Sequence, residues 1–509
     1  VSQTAPLPPA APQLIYQPAH LSARAVEDQC DCACAVTLPA APPLRQPQPN
    51  SPYLLAPDSP FFPLTGDYHV TLNSTSNTVI LNQAAMLMAQ HFSTARMLSH
   101  VPPAWSNRWG RAVVQSTLHQ MVGVGLLQPE NAPSPPVAEE TAILSAWLHI
   151  TDRCNLRCAY CYLPHHRVDM TPETGQAALE ATFRSAVAHR FRQVKLKYAG
   201  GEAMLRFPLI AGLHRYAQTL ANRHNLALDG VILSNGTRLT PKIIRAMQQL
   251  GLRLMISLDG VGDMHDRQRK YANGRGSFAD VSQAVDLALS HQLIPDISVT
   301  ISGRNAAGLP QLMAWLLERD LPFSLNFYRE NEHAATHKDL KLEEEKIIDG
   351  MQAAFAVIEA NLPRRSLLAS LIDRANLAVP HRRTCGVGHS YLVFDHVGQV
   401  SKCQMQMDRP VTTSHAGDPL ALLQADQQGI QNIPVEEKEE CRHCRWKNWC
   451  TGGCPLATYR ATGRYDLKSP NCNIYKALYP AAVRLEGLRL LMYANGGEET
   501  SVNRSNERA

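Results

Sequence analysis

Hydrophobic and polar positions along the middle of the chain follow two periods in turn. Short apolar runs near Ser145–Ile150, Val194–Tyr198, Gly230–Leu233, Arg253–Leu258, Ile297–Ile301 and Ser324–Phe327 read as strands. Between them, apolar residues recur at helical spacing over Pro172–Arg190, Phe207–Arg223, Pro241–Leu250, Phe278–Ser290 and Leu309–Arg319. Pro172 follows Thr171 and so takes a favourable first helical position. Repeated strand–helix units predict a parallel sheet with right-handed crossovers, whose chemistry sits in the loops at the carboxyl ends of the strands. The predicted fold class is α/β, with a partial (β/α)6 barrel over residues 140–330.

The flanks have different patterns. Within residues 51–130, Tyr68–Leu72 alternates as a strand does, and Thr78–Leu81 reads as a second strand. Asn82 is placed to cap a helix from Gln83 to Phe92 whose apolar contacts are Met86, Leu87 and Phe92. A further helix over Arg111–Gly123 puts Val114, Leu118 and Met121 on one stripe. Short strands plus three helices predict a small winged-helix unit. Residues 1–50 are rich in Pro and Ala and predict a disordered tail, because they bury too little apolar area to offset ordering entropy. Pro129–Pro136 reads as a linker, residues 331–380 as a charged helical bridge, residues 381–480 as a loop-rich domain, and residues 481–509 as a helix with a frayed polar tail.

Composition narrows the function classes. The 509 residues are 45% hydrophobic and 18% charged, as in a globular protein, and the net charge of +5 is small for this length. There is no block of Lys and Arg, which argues against a nucleic-acid partner. No run of eighteen apolar residues and no basic-then-apolar start are present, which argues against a membrane span and a secretion signal and favours the cytoplasm. Thirteen cysteines in such a chain suit metal ligation better than a disulfide framework.

Three of these cysteines, Cys154, Cys158 and Cys161, form a C-x3-C-x2-C run directly after the first barrel strand. Three thiolates this close hold three irons of a four-iron cluster and leave the fourth iron open for chemistry. Zinc is the alternative, but it wants a fourth protein ligand, and only His165 and His166 are near. With Tyr160 before the last cysteine, the run resembles the signature of the radical S-adenosylmethionine (SAM) superfamily. That resemblance implies an open iron that chelates SAM and a reduced cluster that splits it to a 5′-deoxyadenosyl radical. Cys154, Cys158 and Cys161 are then the catalytic cluster ligands, and Tyr160 packs against the adenine. Gly200-Gly201-Glu202 follows the second strand, as does the superfamily's motif for the SAM amino group, its glycines letting a ligand approach the backbone. Ser234 and Asn235 after the third strand are candidates for the ribose hydroxyls, and Ser257 and Asp259 after the fourth complete the cofactor set.

A second group comprises Cys385, Cys403, Cys441, Cys444, Cys450, Cys454 and Cys472. Its spacing resembles the SPASM domain, the auxiliary-cluster module of radical SAM maturases. By that resemblance Cys441, Cys444, Cys450 and Cys472 hold one four-iron cluster, and Cys385, Cys403 and Cys454 hold another. Three 4Fe–4S clusters are implied in all. The three-cysteine site lacks a thiolate where some relatives have one, at Tyr391, so it has an open iron or borrows a ligand such as His389. Anaerobic sulfatase maturases share this architecture but carry an Asp after the second SPASM cysteine, where Gln404 stands here with Asp408 nearby. The small N-terminal unit resembles PqqD-like leader-recognition domains by its order of elements. Together these features imply a peptide maturase that acts on a precursor peptide with a leader, draws electrons from a reductant such as flavodoxin or ferredoxin, and forms a thioether or another side-chain crosslink. The alternatives are a sulfatase-maturating oxidation of Ser or Cys to formylglycine, and a non-catalytic iron–sulfur module that binds leaders and carries electrons. Cys30, Cys32 and Cys34 read either as exposed thiols or as a substrate-like segment held in cis.

Overall fold

A computed structural model describes residues 8, 10–16, 46–48, 51–57, 59–73, 78–131 and 142–493. Cys30, Cys32 and Cys34, most of the Pro-rich linker and the end of the tail lie outside the described residues.

The six predicted barrel strands are Ile143–Thr151, Gln193–Gly200, Ala227–Ser234, Leu252–Ser257, Asp296–Ile301 and Phe323–Phe327. They pair parallel in chain order. The first strand is buried at every position, as expected of a strand covered on both faces. The helices between are held by local signals. Thr171 and Thr240 accept hydrogen bonds from the amides of Thr174 and Ile243, and each precedes a proline. Gly251 ends the helix Pro241–Leu250 at φ +68°, a left-handed conformation that glycine adopts without strain.

The carboxyl-terminal cysteine region is not a separate sheet. Its strand Tyr391–Phe394 pairs parallel with the first barrel strand, Trp147 opposite Val393, and Gln399–Ser401 and Thr412–Thr413 follow antiparallel. The result is one nine-stranded sheet. The bridge is helical only over Glu344–Ala360, with short 3₁₀ turns before it. The last long helix runs Cys472–Tyr493 and so begins nine residues before the expected boundary at 481.

The small unit has strands Phe61–Pro63, Tyr68–Leu72 and Thr78–Asn82, then helices Gln83–His91, Pro103–Trp109 and Arg111–Gly123. Asn82 caps the first helix as expected, its side chain accepting from the Ala85 amide at 3.0 Å. A second sheet joins Pro52–Leu55 to Arg96–Met97 and Leu127–Pro129. Part of residues 1–50, read from the sequence as a disordered tail, is ordered. Leu14–Tyr16 is a strand paired antiparallel with Thr78–Asn82. Three consecutive large apolar residues are too short a signal for periodicity to register, yet they suffice to complete a sheet edge. Among the described residues no helix is long and apolar enough to cross a membrane.

The carboxyl-terminal helix covers one face of the small unit's sheet. A Cβ on Gly487 would stand 2.8 Å from Leu64 and 3.0 Å from Val70, and Phe62 stacks on Trp446 with centroids 6.1 Å apart. Gly487→Leu is therefore expected to overpack this seam and destabilise it by about 1–3 kcal/mol. Chemical denaturation followed by tryptophan fluorescence measures it, and an unchanged transition would refute the close approach.

Candidate functional site

The cluster loop leaves the first barrel strand at Thr151 and is clamped at once. Its short strand Leu156–Cys158 pairs antiparallel with Arg269–Tyr271, Cys158 opposite Arg269. The Ala159 amide donates to the Gln268 carbonyl at 2.8 Å, and that of Ala272 to the Asn155 carbonyl at 3.0 Å. Cys154, Cys158 and Cys161 are all free and half-buried, and they lie close enough to influence one another's ionisation. Burial raises the Cys154 thiol to about 11 and the Cys158 thiol to about 12, and it also raises Cys161. Such thiols are neutral at pH 7 until a metal displaces the protons.

Gly200 and Gly201 have a packing role that the sequence does not show. A Cβ on Gly200, at φ +143°, would overlap the Thr151 carbonyl oxygen, and one on Gly201 would overlap that of Arg153. The glycines therefore admit the backbone of the cluster loop, and the Gly201 and Glu202 amides donate to those same two carbonyls at 2.6 and 2.8 Å. Glu202 is fully buried. Its carboxylate accepts from Ser234 Oγ at 2.7 Å, the Asn235 amide at 2.7 Å and the Met204 amide at 3.0 Å. Three of its roughly four lone-pair positions are thus filled, which leaves one for an ammonium group. Burial raises its pKa. Asn235 donates to Asn155 at 2.9 Å and reaches Cys154 Sγ at 3.9 Å. Ser234 and Asn235 thereby tie the third strand to Glu202 and to the cluster loop.

Asp259 and Tyr160 are brought together. The Tyr160 hydroxyl donates to Asp259 Oδ2 at 2.6 Å and accepts a hydrogen bond from Arg269 Nη1. The Thr300 amide donates to Asp259 Oδ1 at 2.8 Å, and Arg269 pairs with Asp259 at 3.7 Å. The Tyr160 hydroxyl is thus anchored in a buried ion pair, a contact beyond the expected packing on adenine. Ser257 ends the fourth strand half-buried, in register with Ser298. Arg269 is a further residue of this site, one to which the sequence assigns no role. The guanidinium lies near all three cluster cysteines and favours their thiolates.

The second cysteine group lies in two places. Cys441, Cys444, Cys450 and Cys472 line one cavity of about 150 Å³ walled by Trp446, Tyr475 and Tyr479. Cys385, Cys403 and Cys454 form the other set and influence one another's charge. Burial raises Cys403 to about 12. Burial would raise Cys454 too, but Arg329 and Arg374 outweigh it and hold that thiol below its usual range. Arg329 follows the sixth barrel strand and is itself gripped by Asp373 at 2.7 and 2.8 Å. His389, the candidate borrowed ligand, and Tyr391, which stands where some relatives have a cysteine, are both engaged. His389 Nε2 accepts from Arg383 at 2.7 Å, and the Tyr391 hydroxyl donates to Gln404 at 3.1 Å. Lys438 is buried close to Cys441 and Cys450 of one set and to Cys385 and Cys454 of the other, its ammonium donating to the Thr451 carbonyl at 2.7 Å. Among the described residues no three His, Cys, Asp or Glu side chains converge closely enough to hold a single metal ion. A cuboidal cluster needs thiolates spread around a larger core than a zinc ion does.

Between the two regions lies a cavity of about 1040 Å³. It is lined by His149 and Asp152 from the end of the first strand, Tyr162 and His166 beside the cluster loop, and Gln404 and Met405 after Cys403. Asp408 is also on its wall. His149 Nε2 lies 2.5 Å from Asp152 Oδ1. Burial raises the Asp152 carboxyl, but His149 together with His396 and His166 outweighs it and holds the group below the usual carboxylate range.

The Asp259–Arg269 pair gives a testable expectation. Arg269→Met strands a buried carboxylate and should destabilise the fold by about 3–5 kcal/mol. Adding Asp259→Asn should recover part of that loss. Urea denaturation of the single and double variants measures both, and additive losses would show that the pair does not act as a unit.

A family model described as the Radical SAM superfamily matches residues 148–316. An uncharacterised protein of Methanocaldococcus jannaschii is 27% identical over 190 residues, 36% of this chain and 64% of that protein, so the chain spans just under two thirds of it. A serine-type anaerobic sulfatase-maturating enzyme of Klebsiella pneumoniae is 26% identical over 327 residues, 59% of this chain and 79% of the enzyme. The solved structure of native anSMEcpe with bound AdoMet and Cp18Cys peptide shares the fold at a TM-score of 0.56 and 19% identity, covering 68% of this chain and 99% of that one. With three cysteines on a loop at the carboxyl end of the first of six parallel strands, and the superfamily's model matching from the end of that strand to beyond the fifth, residues 148–316 are a radical SAM domain.

Proposed function

We propose that this chain is a radical SAM peptide maturase with SPASM-type auxiliary clusters. The observation that carries the reading is the large cavity lined both beside the loop of Cys154, Cys158 and Cys161 and after Cys403. A substrate side chain there lies within reach of both cysteine regions. Cys154, Cys158 and Cys161 would hold the SAM-binding cluster, and the free position on Glu202 would take the SAM ammonium. When bound, that cluster and SAM supply a 5′-deoxyadenosyl radical. Cys441, Cys444, Cys450 and Cys472 would hold one auxiliary cluster, and Cys385, Cys403 and Cys454 the other.

The chain's own residues then shape the outcome. His149 and Asp152 present a polar, partly charged wall to the substrate. Arg329 and Arg374 favour thiolate at Cys454. No fourth cysteine stands at Tyr391, and this supports a site that accepts a substrate thiol and so favours thioether formation. A leader would dock on the small amino-terminal domain, and a reductant such as flavodoxin or ferredoxin would supply electrons.

A second reading is supported by likeness to the Klebsiella pneumoniae enzyme, namely oxidation of Ser or Cys in a sulfatase. Gln404, engaged with Tyr391, cannot accept the proton that reaction releases, so this reading would have to draw its base from Asp152 or Asp408 on the cavity wall.

The metal content decides first. Anaerobic reconstitution is expected to load ~12 irons per chain. Replacing Cys154, Cys158 and Cys161 together with Ala should remove about a third of that iron and all SAM cleavage. Stoichiometric zinc in anaerobically purified protein would overturn the reading.

A further inference from the structure

The amino-terminal segment and the small domain it lies on have an unusual relation. The domain's strands Phe61–Pro63, Tyr68–Leu72 and Thr78–Asn82 form a meander whose two edges are Phe61–Pro63 and Thr78–Asn82. Leu14–Tyr16 fills the second edge, with Leu14 opposite Leu81, Ile15 opposite Ile80 and Tyr16 opposite Val79. The domain's buried cluster runs from Tyr53 to Leu127 and includes nothing from residues 10–16; Leu14 and Tyr16 rest against it half-buried, while Ile15 rests against the main core.

What holds the segment is mostly backbone recognition. The Asn82 amide donates to the Gln13 carbonyl at 3.2 Å. The Asn82 side chain answers twice, accepting from the Gln13 amide at 3.0 Å and donating to the Ala11 carbonyl at 2.7 Å. Trp109 Nε1 reaches the Pro8 carbonyl at 3.4 Å. Among the described residues, Tyr68 and Gln13 form a side-chain pair at 2.8 Å. Main-chain hydrogen bonds for affinity and alternating side chains for register are how an extended peptide adds to a sheet edge. The body of the domain has its core without the segment, and the segment has the contacts of a ligand.

We propose that residues 10–16 are a self-docked strand that occupies the peptide-binding edge of the small domain in cis, so that a substrate leader binds there only by displacing it. The leader role rests on the maturase reading above; the docking itself does not. The fitting partner is an extended peptide running antiparallel to Thr78–Asn82, with apolar side chains at three successive positions and an amide available opposite Ile80. A tethered strand competes at an effective concentration in the millimolar range, so a free peptide making equal contacts scarcely displaces it at micromolar concentration.

Ile15→Pro tests this in the full chain. Antiparallel pairs alternate, so the bonded pair at Gln13 and Asn82 makes Ile15 and Ile80 the next bonded pair. Proline at 15 deletes that donor. The probe is a fluorescein-labelled synthetic peptide of residues 8–18 in wild-type sequence, titrated by anisotropy. The expected result is binding roughly tenfold or more tighter to the variant than to the native chain. Hydrogen exchange over residues 78–82 should rise in the variant and fall again when peptide is added. Equal binding to both proteins, or binding to neither, overturns the proposal. Unfolding of the small domain by Ile15→Pro, reported by Trp105 and Trp109 fluorescence, also overturns it, since the strand would then be integral to the fold. The assay needs neither iron nor SAM. Failure of the iron and SAM-cleavage test would therefore remove the leader role while leaving the docked strand, and failure of this assay would leave the maturase reading intact.

Discussion

Much of this molecule depends on the pairing of Tyr391–Phe394 with the first barrel strand. Ile143–Thr151 has neighbours on both sides, Gln193–Gly200 on one and Tyr391–Phe394 on the other. A sheet edge in an open barrel presents unpaired amides and carbonyls and invites association with other chains. Here that edge is spent on the cysteine-rich region. Cys385 and Cys403 flank the added hairpin, and Cys154, Cys158 and Cys161 follow the strand it pairs with. Register in a sheet is set residue by residue, so the relation between the two cysteine regions is set by main-chain hydrogen bonds and not by flexible side chains. The cavity between them is a product of the same register.

Buried cations are the second constraint. Arg269 and Lys438 are buried, the Arg329 side chain is largely covered, and each lies near cysteines. Two have a carboxylate partner, Asp259 and Asp373. Lys438 donates to a carbonyl, and its ammonium sits among thiols of both auxiliary sets. A buried charge without a counter-charge is costly. Anionic clusters bound by these cysteines would offset that cost, which is a physical argument for the cluster reading that does not depend on cysteine spacing.

Much of the fold was legible in the sequence because its signals are local. The helix Pro241–Leu250 was expected at its observed bounds because a threonine cap, a proline and a glycine mark its ends. The strand Tyr68–Leu72 was legible through alternation alone. What was not legible depends on partners far along the chain. Nothing near Tyr391 announces that it pairs with Ser145, and nothing near Leu14 announces Leu81. At the site, the two groups of cysteines were legible from their spacing. The packing contacts of Gly200, Gly201 and Tyr160 were not. Two glycines at a strand end look alike whether they admit a ligand or a neighbouring backbone, and a tyrosine does not reveal that an arginine more than a hundred residues away donates to its hydroxyl.

The seam around Gly487 joins segments that are far apart along the polypeptide, and this has a consequence for synthesis. Leu64 and Val70 emerge from the ribosome well before the helix that covers them. Translation from Asn82 to Cys472 takes roughly 20–80 s at ordinary rates. For that interval the face of the small sheet lacks its cover. Its edge does not wait, because Leu14–Tyr16 precedes Thr78–Asn82 in the chain and is at hand as soon as that strand forms. The nascent domain is thus sealed along its edge long before it is sealed across its face, which leaves the apolar face, and not the hydrogen-bonding edge, as the surface a chaperone would meet.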